Sequence, residues 1–308
     1  MGNIPACNML PLSRLKSIDG AAVATCGRLS VIARIMRYFF MQTANNKLIL
    51  LRKCCCAWLL LMLSWVAHGQ ERLVLNQAIN IGAYFSEGDY DEPLDTRITY
   101  LPLSYNLDVG KWGFQVLVPH LRVEGLGNVL VNIGGVSRAV AATQTRTSSG
   151  IGDMIATLIY RVDPLTASAP FIELRLDVKL PTADEEKSLG TGEADYSIQV
   201  DLSQNVGNTV VFATLGHNFR GSSTLYEGLQ DSSFLQLGVA YPLSQQLSVG
   251  AFYDFREPAT SFTPETHEVV PYLSWQFNEN WSFTAMTIWG FTDASADSTV
   301  FGQLSYRW

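Results

Sequence analysis

After residue 56 the 308-residue chain has no cysteine; all five stand at positions 7, 26, 54, 55 and 56. Residues beyond that point can build neither a disulfide framework nor a thiolate metal site. Positive charge is scarce in the same stretch. Eight of the 21 Lys/Arg but only one of the 28 Asp/Glu precede residue 57, and residues 70–308 hold 13 basic against 27 acidic side chains, a difference of −14. A nucleic-acid binder neutralises phosphates with basic patches, so this balance excludes that class. No apolar run of 18 residues follows Gln70. A membrane-spanning helix, which needs about 20, is therefore excluded there. Helix signals are few, and no motif marks a redox centre or a cofactor site. Gly190-Thr191-Gly192 lacks the Lys-Ser/Thr and the helix that a phosphate loop requires.

What is present begins with a leader. Lys47, Arg52 and Lys53 precede an apolar run from Cys54 to Ala67, and Ala67-His68-Gly69 places small residues before Gln70. Basic, then apolar, then small is the order of a secretory signal peptide. The expected organisation is an upstream extension or mis-assigned start over 1–40, a signal peptide over 41–69 beginning at Met41, and one domain over 70–308. The three adjacent cysteines open the apolar run, so they read as part of the removed segment.

From Gln70 onward the chain alternates apolar and polar residues in segments of about 10–13, the strand signal. In 171–180, Ile172, Leu174, Leu176, Val178 and Leu180 share one face and Glu173, Arg175, Asp177 and Lys179 the other. In 195–202, Tyr196, Ile198, Val200 and Leu202 oppose Asp195, Ser197, Gln199 and Asp201. In 247–256, Leu247, Val249, Ala251, Tyr253 and Phe255 oppose Ser248, Gly250, Asp254 and Arg256. Twelve strands are predicted: 73–85, 95–107, 112–123, 150–162, 170–180, 194–205, 209–220, 232–242, 247–256, 266–277, 281–292 and 298–308. Short and long connections alternate. That is the plan of a closed antiparallel transmembrane β-barrel of the outer-membrane kind. The longest connection, 124–149, either folds inward or adds a hairpin and raises the count to fourteen.

Aromatic residues fall into two groups. Tyr105, Trp112, Tyr160, Phe171, Tyr241, Trp275, Phe277, Trp281 and Tyr306 lie near the short turns. Phe85, Phe219, Tyr253, Phe255, Trp289 and Phe291 lie near the long loops. Two girdles are expected where a barrel meets the two membrane interfaces. The last segment alternates Gly302, Leu304, Tyr306 and Trp308 with polar residues, and resembles the signal by which outer-membrane barrels reach their assembly machinery. A periplasmic β-sandwich would also alternate, but it needs neither girdles nor a terminal aromatic.

The charged face Glu173, Arg175, Asp177, Lys179 must point to a lumen, because Arg or Lys facing lipid at the midplane costs ~2–4 kcal/mol. Asp195 and Asp201 on the next strand, Asp153 and Arg161 on the preceding one, and Asp254 and Arg256 further on complete the candidate lumen lining. Two readings stand side by side: a selectivity lining for solutes, and a self-neutralising ladder of ion pairs that fills the barrel. Phe252, Met286 and Ile288 are predicted to point inward, where they could plug it. Three histidines, His120, His217 and His267, sit near different loop ends. They give no metal spacing, and no nucleophile motif accompanies them for a hydrolase.

The stretches Gly150-Ile-Gly-Asp153, Lys179-Leu-Pro-Thr182 and Leu189-Gly-Thr-Gly-Glu193, with Tyr100-Leu-Pro-Leu-Ser-Tyr105 and Gly113-Phe-Gln-Val116, resemble the outer-membrane protein family named for the MetA-pathway of phenol degradation. The resemblance covers most of residues 70–308. It implies an outer-membrane location and movement of aromatic or other apolar compounds, and brings no catalytic residue or cofactor. The reading is a passive channel for small solutes. Its partners are membrane lipid, the assembly machinery and the solute; its oligomeric state stays open. The alternative is a barrel whose role is structural or interactive through its loops.

Overall fold

The computed structural model describes residues 75–308 apart from 89–94, 127–128, 133–134, 139–144, 167, 188, 224–227, 262–263, 293–294 and 297. The expected extension, signal peptide and cleavage site lie outside the described residues. In chain order the strands are β1 (Leu75–Gly88), β2 (Thr96–Val109), β3 (Trp112–Leu126), β4 (Val129–Asn132), β5 (Gly135–Arg138), β6 (Thr145–Ile151), β7 (Met154–Val162), β8 (Phe171–Leu180), β9 (Asp195–Val206), β10 (Thr209–Phe219), β11 (Ser232–Pro242), β12 (Leu247–Arg256), β13 (Thr266–Gln276), β14 (Trp281–Gly290) and β15 (Ser298–Arg307).

β3 pairs with β6 toward its long-loop end and with β7 toward its short-turn end, so β6 and β7 are two halves of one wall strand. Counted this way, twelve antiparallel strands each pair with the next, and β15 returns to β1 from Ala78↔Arg307 to Glu87↔Ser298. The sheet is closed. Closure is what lipid demands, because an open edge would leave unpaired N–H and C=O groups in hydrocarbon. β2 turns into β3 through Gly110 and Lys111, and β9 into β10 through Gly207 and Asn208. Gly110 (φ 59°) and Gly207 (φ 62°) take the left-handed conformation these two-residue turns need.

Period-two alternation puts apolar residues on the outside. On β8, Leu174 and Leu176 are exposed, whereas Arg175, Asp177 and Lys179 are buried inside. The predicted aromatic groups project outward except Phe171, which shares the inward face of β8 with Glu173 and Arg175 and pairs with Ser203 at the rim; Trp275, Phe277 and Trp281 at the short-turn end and Phe85, Trp289 and Phe291 at the other are exposed. Together they mark the two edges of an apolar belt, as in bacterial outer-membrane barrels.

Two features differ from the sequence reading. The fourth wall strand begins at 145, not 150, and is interrupted at Gly152–Asp153. On either side of the interruption the register runs His120↔Ile151 and Leu117↔Ile155, so residues 152–154 face only residues 118–119. One extra residue is a β-bulge, and it moves the inward face from even to odd positions. Ser148 is inward before it, Ile155 and Thr157 after it. The 124–149 connection does contain a further hairpin, but β4 and β5 pair only with each other among the described residues. The wall count stays at twelve, not fourteen.

The wall carries one more irregularity. Pro102 of β2 faces Pro119 of β3. Two residues without N–H groups cannot form a hydrogen-bonded pair, so each turns its backbone edge away from the other. Pro119 turns to the bulge, where Gly152 N–H donates to its carbonyl at 2.9 Å. Pro102 turns to β1.

Candidate functional site

The inward faces of the strands make the candidate site, the lumen, and its two sides differ. Charge is concentrated on β7–β9, in three tiers. Nearest the short turns, Arg161 binds Glu173 at 2.7 Å and Asp108 at 2.9 Å. In the middle tier Arg175 binds Asp177 at 3.0 Å, and the Thr157 hydroxyl donates to Asp177 at 2.5 Å. Toward the long loops, Lys179 lies 2.6 Å from Asp195 and 3.4 Å from Asp153, and donates to the Thr191 hydroxyl at 2.7 Å. Alternating signs on one face, set against the next strand in register, produce this neutralisation. Each pair offsets its own desolvation, so its presence adds little net stability, while loss of one partner strands a buried charge.

Of the other expected lining residues, Asp201 stands apart from the tiers. It accepts from Gln199 at 2.7 Å and from the Thr214 hydroxyl at 2.6 Å. Asp254 and Arg256 form a separate cluster on β12. They lie 2.9 Å apart, Gln236 donates to Asp254 at 2.8 Å, and the guanidinium sits 5.2 Å from the Phe234 ring centre. Sequence reading missed Asp108, Gln115 and Thr191. Asp108 continues the inward series Ser104, Asn106, and that parity was the available signal. Arg220 was missed as well. It follows β10 and continues its inward series Thr214, Gly216, Asn218. Burial lowers its pKa, against the opposing pull of Asp195.

The glycine-rich stretches converge on the third tier. Asp153 is fully buried, and one carboxylate oxygen accepts from the backbone N–H of Thr182 (3.1 Å) and Ala183 (3.0 Å). The Thr182 hydroxyl donates to the Gly152 carbonyl at 3.3 Å and accepts from Met154 N–H at 2.9 Å. The Gly152 carbonyl faces Pro119, which has no N–H to give it, so Thr182 replaces the missing rung. Gly190 packs onto this knot: a Cβ there would sit 2.7 Å from the Asp153 carboxylate and 2.8 Å from the Ala183 Cβ. A Cβ at Gly150 would meet Leu189 at 2.8 Å. The 181–193 connection therefore folds against the inner wall, with Leu189 and Thr191 buried.

The facing side of the lumen, β12–β15 with β1 and β2, is apolar at mid-height. Phe252, Tyr272, Met286, Phe301, Tyr84 and Tyr100 are all under 10% exposed. Phe212–Phe252 and Phe252–Tyr272 ring centres lie 6.3 and 6.2 Å apart. Phe252, Met286 and Ile288 do point inward, as their parity predicts. Below this band, toward the short turns, the same strands are polar: Asn80 donates to Ser104 at 2.9 Å and to Asn106 at 3.1 Å.

The terminal residues close the barrel. Gln77 and Trp308 exchange backbone hydrogen bonds at 3.2 and 3.0 Å, Leu304 pairs with Ile81, Tyr306 with Ile79 and Gly302 with Ala83. Leu304, Tyr306 and Trp308 face outward, and the Tyr306 and Trp308 rings stack at 5.6 Å. The histidines also face outward and have separate partners. His120 pairs with Ser149, His217 with Ser233, and His267 with Tyr253 and Glu265. No group of three or more metal-ligating side chains occurs among the described residues.

Among solved structures, an outer-membrane channel from Pseudomonas putida F1 aligns with a TM-score of 0.56 at 12% identity, over 78% of this chain and 99% of that one. The KdgM porin aligns at 0.47 and 10% identity, over 74% and 98%. The Pseudomonas putida toluene transporter TodX aligns at 0.39 and 11% identity, over 76% and 89%. The first alignment independently supports the closed barrel fold. No curated protein matches the sequence. The family described as "Putative MetA-pathway of phenol degradation" matches over residues 94–308, seven-tenths of the sequence, and the chain belongs to that family.

Proposed function

We propose that the protein is a passive bacterial outer-membrane channel for small solutes, aromatic and apolar compounds among them. The observation that carries the reading is the two-sided lumen. A ladder of charges on β7–β9 faces an aromatic band on β12–β15 and β1–β2. A compound with a ring and a hydroxyl would find complementary surface on both sides. The family's association with phenol degradation and the channel fold of the 12%-identical neighbour agree with it. The charges of Arg161, Glu173, Arg175, Asp177, Lys179, Asp195 and Asp201 would set the field along the path. Asp153 serves that path by holding the bulge. We further propose that Gly302, Leu304, Tyr306 and Trp308 present the final strand to the assembly machinery, and that the apolar belt stands in outer-membrane lipid.

Single-channel conductance of the refolded protein in a planar bilayer tests the reading. Discrete current steps that phenol reduces and a sugar of similar size does not are the expected result. Silence from a correctly folded barrel would overturn it. That outcome favours a second reading, a structural or interaction role through the loops, to which the near-complete burial of Phe252, Met286 and Ile288 already lends weight.

A further inference from the structure

Three inward glycines on neighbouring strands stand directly opposite aromatic residues. Gly216 of β10 faces Phe234 of β11, Gly238 of β11 faces Phe212 of β10, and Gly250 of β12 faces Tyr272 of β13. Among the described residues, inward glycine–aromatic pairs occur only on these four strands. From β13 to β2 the band sets large against large: Tyr272 on Met286, Met286 on Phe301, Phe301 on Tyr84, Tyr84 on Tyr100.

Each ring lies over its glycine. A Cβ on Gly216 would stand 2.1 Å from Cζ of Phe234, and 2.4 and 2.8 Å from its two Cε atoms. The tip of the ring thus occupies the space a side chain would take. A Cβ on Gly238 would meet Phe212 Cζ at 2.3 Å, and one on Gly250 would meet Cζ and Oη of Tyr272 at 2.3 Å each. The Tyr272 hydroxyl reaches past β12 and donates to the Val239 carbonyl of β11 at 3.4 Å. From β13 that crosses two strand spacings, about 10 Å of wall. These side chains run along the inner wall to a neighbouring strand, not across the lumen. Glycine is less favourable than alanine inside a strand, and its presence there marks a close approach. Here the approaching group is a ring.

We infer that Gly216, Gly238 and Gly250 are specificity-determining residues of the channel: by seating Phe234, Phe212 and Tyr272 on the wall they set its bore, and with it the largest solute that passes. The inference rests on the channel reading above and adds the residues that gauge the path. The rings offer a solute apolar contact; the glycines decide how much room remains beside them. A ring that merely covers bare glycine backbone would matter to stability alone, so the test reads the bore.

Gly216 gives the cleanest variant. The three atoms nearest its new Cβ all belong to the movable tip of Phe234, whereas a Cβ on Gly238 also meets Phe252 Cβ at 2.6 Å, and one on Gly250 the Val239 carbonyl at 2.4 Å. Arg256 flanks Phe234 on its other side, with the guanidinium 5.2 Å from the ring centre. In Gly216→Ala the lumen is therefore the direction left to the ring. The purified protein is recorded in planar bilayers with polyethylene glycols of graded size in the bath. Polymers that enter the pore lower its conductance, and the largest that does so measures the bore. Gly216→Ala should lower the conductance by about half or more, because a narrower pore carries less current, and should reduce the limiting polymer size. Gly216→Ala/Phe234→Ala should return both to the unmodified values. Phe234→Ala alone, which adds no atoms, should leave the limit where it is. Unchanged conductance and limit in Gly216→Ala overturn the inference. So does a loss that the double variant fails to restore, since the effect would then lie in the wall. A larger limit in Phe234→Ala overturns it as well, because the ring would already stand in the path; this variant carries the test if Gly216→Ala lacks the gel mobility of a folded barrel. Absence of conductance in the unmodified protein would instead defeat the channel reading itself.

Discussion

Replacing Lys179 with Met removes the cation that Asp153 and Asp195 share and keeps most of its bulk. Asp153 and Asp195 then face each other's charge without an ammonium between them. Both aspartates are mostly or wholly buried, and Lys179 is 5% exposed. Removing one partner of a buried ion pair costs ~3–5 kcal/mol, because an uncompensated charge remains out of water. Asp153 is partly protected, since one of its oxygens keeps two backbone donors. Asp195 keeps the Gly221 N–H at 2.9 Å and the attraction of Arg220, so the loss is shared between the two carboxylates. The assay is urea unfolding of the protein in lipid vesicles, read by the gel-mobility difference between folded and unfolded barrel. Lys179→Met should lower stability by about 3 kcal/mol or more. The triple variant Lys179→Met/Asp153→Asn/Asp195→Asn should recover much of it, because neither carboxylate is then left charged without the ammonium, while Arg220 keeps its bonds to Gln230 and Ser232. A loss below about 1 kcal/mol, the range of solvent-exposed pairs, would refute the reasoning. The third tier would then stand in bulk water, and the long-loop end of the lumen would be open.

Changing Arg175 and Lys179 together to Gln should shift the reversal potential in a salt gradient toward cation preference, since it leaves their acidic partners in the lumen; unchanged selectivity would remove the charge ladder from the permeation path. Gly190→Val places new atoms where the Asp153 carboxylate and Ala183 already stand. Such overpacking costs ~1–3 kcal/mol and should speed tryptic cleavage at the exposed Lys187; an unaltered cleavage rate would show that the 181–193 connection does not rest on Asp153. Trp308→Ala removes a ring stacked on Tyr306 and should reduce the amount of heat-modifiable barrel recovered from the outer membrane; normal recovery would dissociate the terminal residue from assembly.

Most strand positions were legible because the wall separates lipid from lumen, and that separation writes period two into the sequence. Glu173, Arg175, Asp177 and Lys179 could be assigned to the inside for the same reason: no other face tolerates them. The signal fades where the constraint does. Residues 145–149, Thr-Arg-Thr-Ser-Ser, extend a wall strand toward the long-loop end without an apolar face, so they looked like loop. The bulge left no pattern of its own, only a glycine and an aspartate. Thr191 and Leu189 belong to a connection whose path depends on contacts with Gly150 and Lys179, far away in sequence. The aromatic band was visible only in part, since parity revealed Phe252, Met286 and Ile288 but not that Tyr84, Tyr100 and Phe301 meet them at the same height.

The extra residue at Gly152–Asp153 also fixes how the gene can tolerate changes in length. Deleting a single codon there would restore a uniform ladder with β3, but every residue of either β6 or β7 would have to turn over. If β7 turned, Thr157 and Arg161 would face lipid; if β6 turned, Ser148 would. A codon gained between β3 and β6, by contrast, leaves the facing of both wall strands unchanged. At this bulge the wall therefore has a reading frame of its own, one residue deep.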